Sequence, residues 1–203
     1  MSNVKRNYKT LLFLICLAPL GRLIWLATSN GLGANPIEFI TRSTGTWTLV
    51  ALLLTLAVTP MRRLSGWNSL LRYRRMLGLF AFFYASLHFT TYIWLDQFFD
   101  PASITKDIIK RPFITVGFTA FMLLWPLAVT STNAMMRRLG RRWQQLHRLI
   151  YLIGLLGVLH YLWLVKKDLT QPLIYGVVLL ALLSFRFPAV ASGLRNRLTL
   201  ARQ

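Results

Sequence analysis

Six apolar runs, at roughly 11–28, 46–60, 76–95, 113–130, 147–165 and 172–187, alternate along the chain with short polar and basic stretches. None carries the strict apolar–polar alternation of a half-buried strand. Continuous apolar runs also do not build a membrane barrel, whose strands alternate lipid-facing and lumen-facing residues. A helix needs about 20 apolar residues to cross a hydrocarbon layer of ~30 Å. The runs come close to that length, and the second and last are expected to extend into their polar flanks. The pattern therefore predicts an all-α fold, an integral membrane bundle of six transmembrane helices forming a single domain over 1–203.

The connections orient the bundle. Lys5, Arg6 and Lys9 precede the first run, and Arg62, Arg63, Arg72, Arg74 and Arg75 follow the second. Arg137, Arg138, Arg141 and Arg142 follow the fourth, and Arg195, Arg197 and Arg202 end the chain. The intervening loops carry Arg42 alone, then Lys106, Lys110 and Arg111 among three Asp, then Lys166 and Lys167. Basic residues accumulate on the cytoplasmic side, so both termini and the even loops are expected there. Glu38, Asp96, Asp100, Asp107 and Asp168 then all face outside.

Composition agrees. Hydrophobic residues make up 55% of the 203, and mean hydropathy is +0.51, beyond what a soluble domain carries. The net charge of +19 would suit nucleic acid, but its blocks sit between apolar runs, where they orient helices and meet anionic headgroups. No nucleic-acid partner is expected; the bilayer is. Residues 11–28 follow basic residues as a signal h-region does, yet no clear small-x-small site ends them, and they read as the first membrane helix. The lone Cys16 excludes an internal disulfide and a Cys-based metal site. No internal repeat is evident. The short loops leave no room for a nucleotide-binding domain, so any electron donor must come from another protein or from the lipid phase.

The apolar runs hold no acidic residue, which argues against a proton pump or an acid-lined channel. They do hold histidine: His88 in the third, and His147 and His160 in the fifth. An imidazole in hydrocarbon is costly without a partner. His88 lies 12 residues beyond Met76 and His160 lies 13 beyond His147. At a rise of ~1.5 Å per residue both stand ~18–20 Å above the inner boundary, on helices running the same way. Two imidazoles at one depth suit the axial positions of a haem iron, each donating its other N–H to a backbone carbonyl or water. Zinc fits less well, since no third or fourth ligand lies at that depth. His147 lies ~20 Å lower, level with Arg74 and Arg75, which do not ligate iron. Its role stays open between a second haem with another partner, a flavin contact and an interfacial side chain. Arg74, Arg75, Arg141 and Arg142 are explained by topology alone, and are also suited to haem propionates or a flavin phosphate. Arg22 interrupts the first run near its outer end, to snorkel or to meet a propionate.

Arg74-Arg75-Met-Leu-Gly-Leu leading to Leu87-His88-Phe resembles a known pattern. So do Arg137-Arg138-Leu-Gly-Arg-Arg-Trp143-Gln-Gln-Leu-His147-Arg-Leu and His160-Tyr, with Gly31-Leu-Gly-Ala-Asn-Pro-Ile-Glu38 and Thr59-Pro60 extending the match. Together they resemble the MsrQ (YedZ) family, the haem-binding membrane subunit of a bacterial periplasmic methionine sulfoxide reductase system. That family falls in the ferric-reductase-like transmembrane group. The resemblance implies b-type haem, one or two per chain, FMN as a further cofactor, and an inner-membrane location. It also implies electron transfer from the quinone pool, or from a cytoplasmic flavin reductase, to a periplasmic molybdopterin subunit that reduces methionine sulfoxide. Oxidase relatives in the group carry two histidines on each of two helices, whereas the third helix here has only His88. Two other readings compete: a self-contained ferric or cupric reductase, and a redox-silent transporter or anchor.

Overall fold

The computed structural model describes residues 2–186, with side chains from residue 7 onward, and the fold is all-α throughout the described residues. The helices are α1 (Ser2–Thr28), α2 (Pro36–Ser65), α3 (Leu71–Thr91), α4 (Pro101–Lys110), α5 (Pro112–Val129), α6 (Asn133–Leu139), α7 (Arg141–Leu146), α8 (Leu149–Leu164) and α9 (Thr170–Ser184). A short 3₁₀ turn leads into α3 and a π turn over Tyr92–Asp96 prolongs it. Among the described residues, five segments are long and apolar enough to cross a membrane: 7–28, 36–65, 68–96, 112–129 and 141–164. The sixth expected span corresponds to α9, 15 residues long and so ~22 Å, short of the hydrocarbon layer. The expected end of that span at residue 187 and the basic tail of Arg195, Arg197 and Arg202 lie outside the described residues.

Local chemistry sets the boundaries. Asn35 caps α2 by accepting from the Glu38 backbone N–H at 3.2 Å, and its amide donates to the Glu38 carboxylate at 3.1 Å, a reciprocal cap. Pro36 follows at the first helical position, where no N–H is needed. Gly66, at φ 75°, closes the other end in the left-handed region that glycine adopts without strain. The second run is thus only the middle of a 30-residue helix. The fifth span starts at Arg141, earlier than the apolar run indicates, because α7 leads into α8 through a turn at His147–Arg148. The third loop contains α4, whose Ile104 and Ile108 face the bundle while Ile109 is exposed.

α2 is the central helix and packs against α3, α8 and α9; α5 pairs with α8 and touches α3, and α1 lies at the edge against α3. Lipid tails are as apolar as leucine, so helices associate in a bilayer through close packing rather than water exclusion. Ala81 and Ala85 let α3 approach α2, and Gly154 brings α8 against Leu179 of α9. Tyr84 ties α3 to α1, donating from Oη to the Cys16 carbonyl at 2.6 Å, a bond worth about 1 kcal/mol. Leu54, Val177 and Leu180 point outward and are exposed. In water such a surface would drive aggregation; in a bilayer it faces acyl chains. The molecule is an all-α membrane bundle.

Candidate functional site

Where α2, α3, α5 and α8 meet, they enclose a cavity of about 360 Å³. Its floor is apolar, formed by Leu52, Leu124 and Ile153, and its walls carry Phe89 and Phe121, whose ring centres are 4.8 Å apart. His88 and His160 reach into it from opposite sides, from α3 and α8, with ring centres 6.2 Å apart and ring planes at 76°. The sequence placed these two at one depth, and the fold brings them together across the cavity.

Each imidazole is held by the helix behind it. His88 Nδ1 lies 2.9 Å from the Thr41 carbonyl on α2, and His160 Nδ1 lies 2.7 Å from the Phe113 carbonyl on α5. A carbonyl only accepts, so Nδ1 carries the proton in both rings. Nε2 is then a free lone pair with no protein hydrogen bond among the described residues. The helix surface against each ring is a glycine. A Cβ on Gly45 would stand 3.1 Å from His88 Cε1, and one on Gly117 would stand 2.7 Å from His160 Nδ1. These two glycines form the seats of the imidazoles.

The two halves are equivalent position by position. Adding 72 to the residue number carries Thr41, Gly45, Ala85 and His88 onto Phe113, Gly117, Gly157 and His160, all of them lining the cavity. Each histidine is 47 residues from the carbonyl that orients it. The bundle therefore contains a structural repeat, α2–α3 against α5–α8, that the dissimilar residue types concealed in the sequence.

Polar groups gather where the cavity opens toward the start of α2 and of α5. Arg42 and Arg111 stand there with Tyr92 and Asp96. Arg42 pairs with Glu38 at 2.6 Å and Arg111 with Asp107 at 3.3 Å. The Tyr92 hydroxyl is enclosed, with no partner of normal geometry among the described residues. Arg22, for which the sequence left snorkelling or a propionate contact open, is exposed on α1 and does not line the cavity.

His147 stands apart from the pair, at the break before α8. Its Nε2 lies 3.1 Å from Thr130 Oγ1, and the hydroxyl itself donates to the Pro126 carbonyl at 2.6 Å, so the imidazole is the donor. One ring face stacks on Trp143 at 3.9 Å, and Trp143 Nε1 donates to the Thr130 carbonyl. The repeat puts Arg75 at the place matching His147 on α3. Arg75 hydrogen-bonds the Asn133 side chain of α6. Arg74 lies within electrostatic reach of His147, while Arg141 and Arg142 are exposed on α7 without an ion pair among the described residues. No cluster of three or more His, Cys, Asp or Glu exists among the described residues; the opposed pair is the candidate centre.

Comparison with known proteins gives the family. The family described as ferric reductase like transmembrane component matches residues 42–158, which include His88 and His147 and stop just short of His160. Three curated relatives are each named protein-methionine-sulfoxide reductase heme-binding subunit MsrQ. That of Herminiimonas arsenicoxydans is 61% identical over 88% of this chain and 83% of its own. That of Bordetella pertussis is 58% identical over 89% of each. That of Xanthomonas campestris pv. campestris is 51% identical over 96% of this chain and 90% of its own. No solved structure matches the chain. With identity this high across nearly the whole length, the chain belongs to the MsrQ family of ferric-reductase-like transmembrane components.

Proposed function

We propose that this protein is a membrane electron-transfer subunit that binds b-type haem between His88 and His160. It passes electrons to a periplasmic molybdopterin reductase acting on methionine sulfoxide in oxidised proteins. One observation carries the reading: two imidazoles opposed at 6.2 Å, each with Nδ1 committed to a carbonyl. An ion bound at about 2 Å by each of two facing imidazoles would hold their ring centres roughly 6 Å apart, so the spacing suits an ion shared between them. Donation from Nδ1–H to a carbonyl fixes the tautomer and makes Nε2 the better ligand. When bound there, haem supplies a one-electron relay across the hydrocarbon layer.

The surrounding residues support that role. His88 and His160, each anchored through Nδ1, would hold the haem iron with little movement of their own. Leu52, Leu124, Phe89 and Phe121 exclude water from the ring faces. Arg42 and Arg111 at the mouth are placed for carboxylates, and their Glu38 and Asp107 partners hold them ready. Electrons enter at the opposite, Arg-rich end, from the quinone pool or a cytoplasmic flavin reductase. FMN, carried by family resemblance alone, is assigned there to Arg74, Arg75, Arg141 and Arg142. The reading takes the chain as a single domain of six spans in the bacterial inner membrane, α9 being the sixth and both termini cytoplasmic. His147 acts at the inner end in a role distinct from His88 and His160.

The test is spectroscopic, then functional. Detergent-purified protein should show a Soret band and a b-type reduced spectrum. The dithionite-reduced form should be reoxidised by the periplasmic reductase only when a methionine sulfoxide substrate is present. Protein free of haem, or reoxidation that ignores the reductase, would defeat the proposal.

A further inference from the structure

The inner end of the bundle holds a cationic group that the electron-transfer reading does not use. Arg186, just past α9, has its Nε and Nη2 atoms fully enclosed, and neither finds a hydrogen-bond partner among the described residues. Its guanidinium lies over the Tyr151 ring of α8, 5.2 Å from the centroid, so one face is covered and the donor edge is left. Arg63, at the end of α2, donates from Nη1 to the Phe185 carbonyl at 2.6 Å. That bond caps the C-terminus of α9 and accounts for Arg63, since helix C-termini carry partial negative charge. It does nothing for the enclosed Nε and Nη2 of Arg186. A guanidinium does not lose its proton in proteins. The charge therefore lacks a partner among the described residues. None comes from this chain's acidic side chains. All five (Glu38 in the first turn of α2, Asp96 in the π turn after α3, Asp100 before α4, Asp107 within α4 and Asp168 before α9) belong to the opposite end, and none follows residue 168.

We infer that Arg186, with Arg63 beside it, forms a binding site for a phosphate group at the inner face of the bundle, apart from the arginines assigned to flavin. An unpaired charge with enclosed donors is costly, and a planar fork of N–H donors matches the oxygens of a phosphate. Two sources supply that chemistry at this level: the headgroup of an anionic phospholipid and a soluble phosphate. Basic pockets between membrane helices on the cytoplasmic side suit the first. The site does not depend on the haem assignment.

The experiment measures unfolding temperature of purified protein in a neutral detergent. It is titrated separately with phosphatidylglycerol, with phosphatidylcholine and with inorganic phosphate, against sodium chloride at matched ionic strength. Wild type should be stabilised by phosphatidylglycerol, inorganic phosphate or both beyond the chloride and phosphatidylcholine controls. Response to the lipid alone identifies a headgroup site, and response to inorganic phosphate identifies a soluble-phosphate site. R186Q should weaken the responding ligand about tenfold or more, the effect of losing a charge-assisted bond, with haem content unchanged. R186K, which keeps the charge without the fork, should fall between. If R186Q does not insert, R186K and R63Q carry the same comparison. The inference is overturned if neither phosphate source stabilises wild type beyond the controls, or if the variants respond as wild type does. Loss of haem from wild type as well would count against the haem reading and leave this one standing.

Discussion

Replacing Gly117 by alanine puts one methyl group against His160. The new Cβ would stand 2.7 Å from Nδ1, 2.8 Å from Cε1 and 3.1 Å from Cγ, when ordinary contact begins at about 3.4 Å. The ring has little room to recede. Its Nδ1 is bonded to the Phe113 carbonyl on the same helix as Gly117, and His88 faces it across the cavity. Overpacking of this kind costs about 1–3 kcal/mol, and stretching the Nδ1–H···O bond forfeits about 0.5–1.5 kcal/mol more. The ligand-competent geometry should therefore weaken by ~2–4 kcal/mol, roughly 30- to 1000-fold in haem affinity. At Gly45 the closest approach is 3.1 Å, so Gly45→Ala should show a smaller change of the same kind. Gly78→Ala is the control, because its Cβ would make only an ordinary 3.7 Å contact with Thr55 Cγ2. Helix propensity alone favours alanine over glycine by about 1 kcal/mol, so a generic effect has the opposite sign. Haem per protein, reduction potential and low-spin EPR would be measured for all three. Full haem loading and unchanged EPR in Gly117→Ala would refute the idea that Gly117 seats the ligand.

Other consequences are as direct. Alkaline phosphatase fused at Asn35 or Ser103 should be active and at Ser69 inactive; activity at Ser69 would reverse the bundle and the depth argument. Arg74→Gln with Arg75→Gln should slow reduction by the electron donor while insertion, checked first, is kept, because glutamine retains hydrogen bonding and removes charge. Unaltered reduction kinetics would leave these residues as topology signals. Tyr84→Phe should cost about 1 kcal/mol in thermal unfolding by releasing α1 from Cys16 without touching the haem spectrum; a shifted spectrum would tie α1 to the site.

The histidine pair was legible because depth in a membrane helix is arithmetic: a fixed rise per residue brings His88 and His160 level before any packing is known. The apolar runs gave the helices for a similar reason, each run having to match a slab of fixed thickness. What they concealed was the continuation of helices into polar sequence. α2 extends by a capped turn at Asn35 and through Arg62 and Arg63, where side chains reach headgroups and apolar patterning ends. α4 read as a charged loop because it is amphipathic, lying against the bundle with Ile104 and Ile108 inward. The glycine seats were missed altogether. A helical glycine signals nothing until the ring behind it is placed, and the one available clue was the equal spacing of Gly45 to His88 and Gly117 to His160. Arg42 and Arg111 were counted as sparse outer charges, whereas Arg22 drew attention by interrupting an apolar run. The fold favours the first two because they stand in the second turn of α2 and at the N-cap of α5, where those helices line the cavity.

The central claim, that His88 and His160 hold one haem iron between them, is tested most directly by low-temperature EPR with haem stoichiometry on three variants. Wild type should give a low-spin signal of strong anisotropy, because ring planes at 76° leave two iron d orbitals nearly equal in energy. His88→Ala and His160→Ala should each abolish or convert that signal, and combining them should add little, as for two halves of one site. His147→Ala should spare it, removing at most a second, separate haem. The account is contradicted if His147→Ala removes the same signal as His88→Ala while His160→Ala leaves it intact.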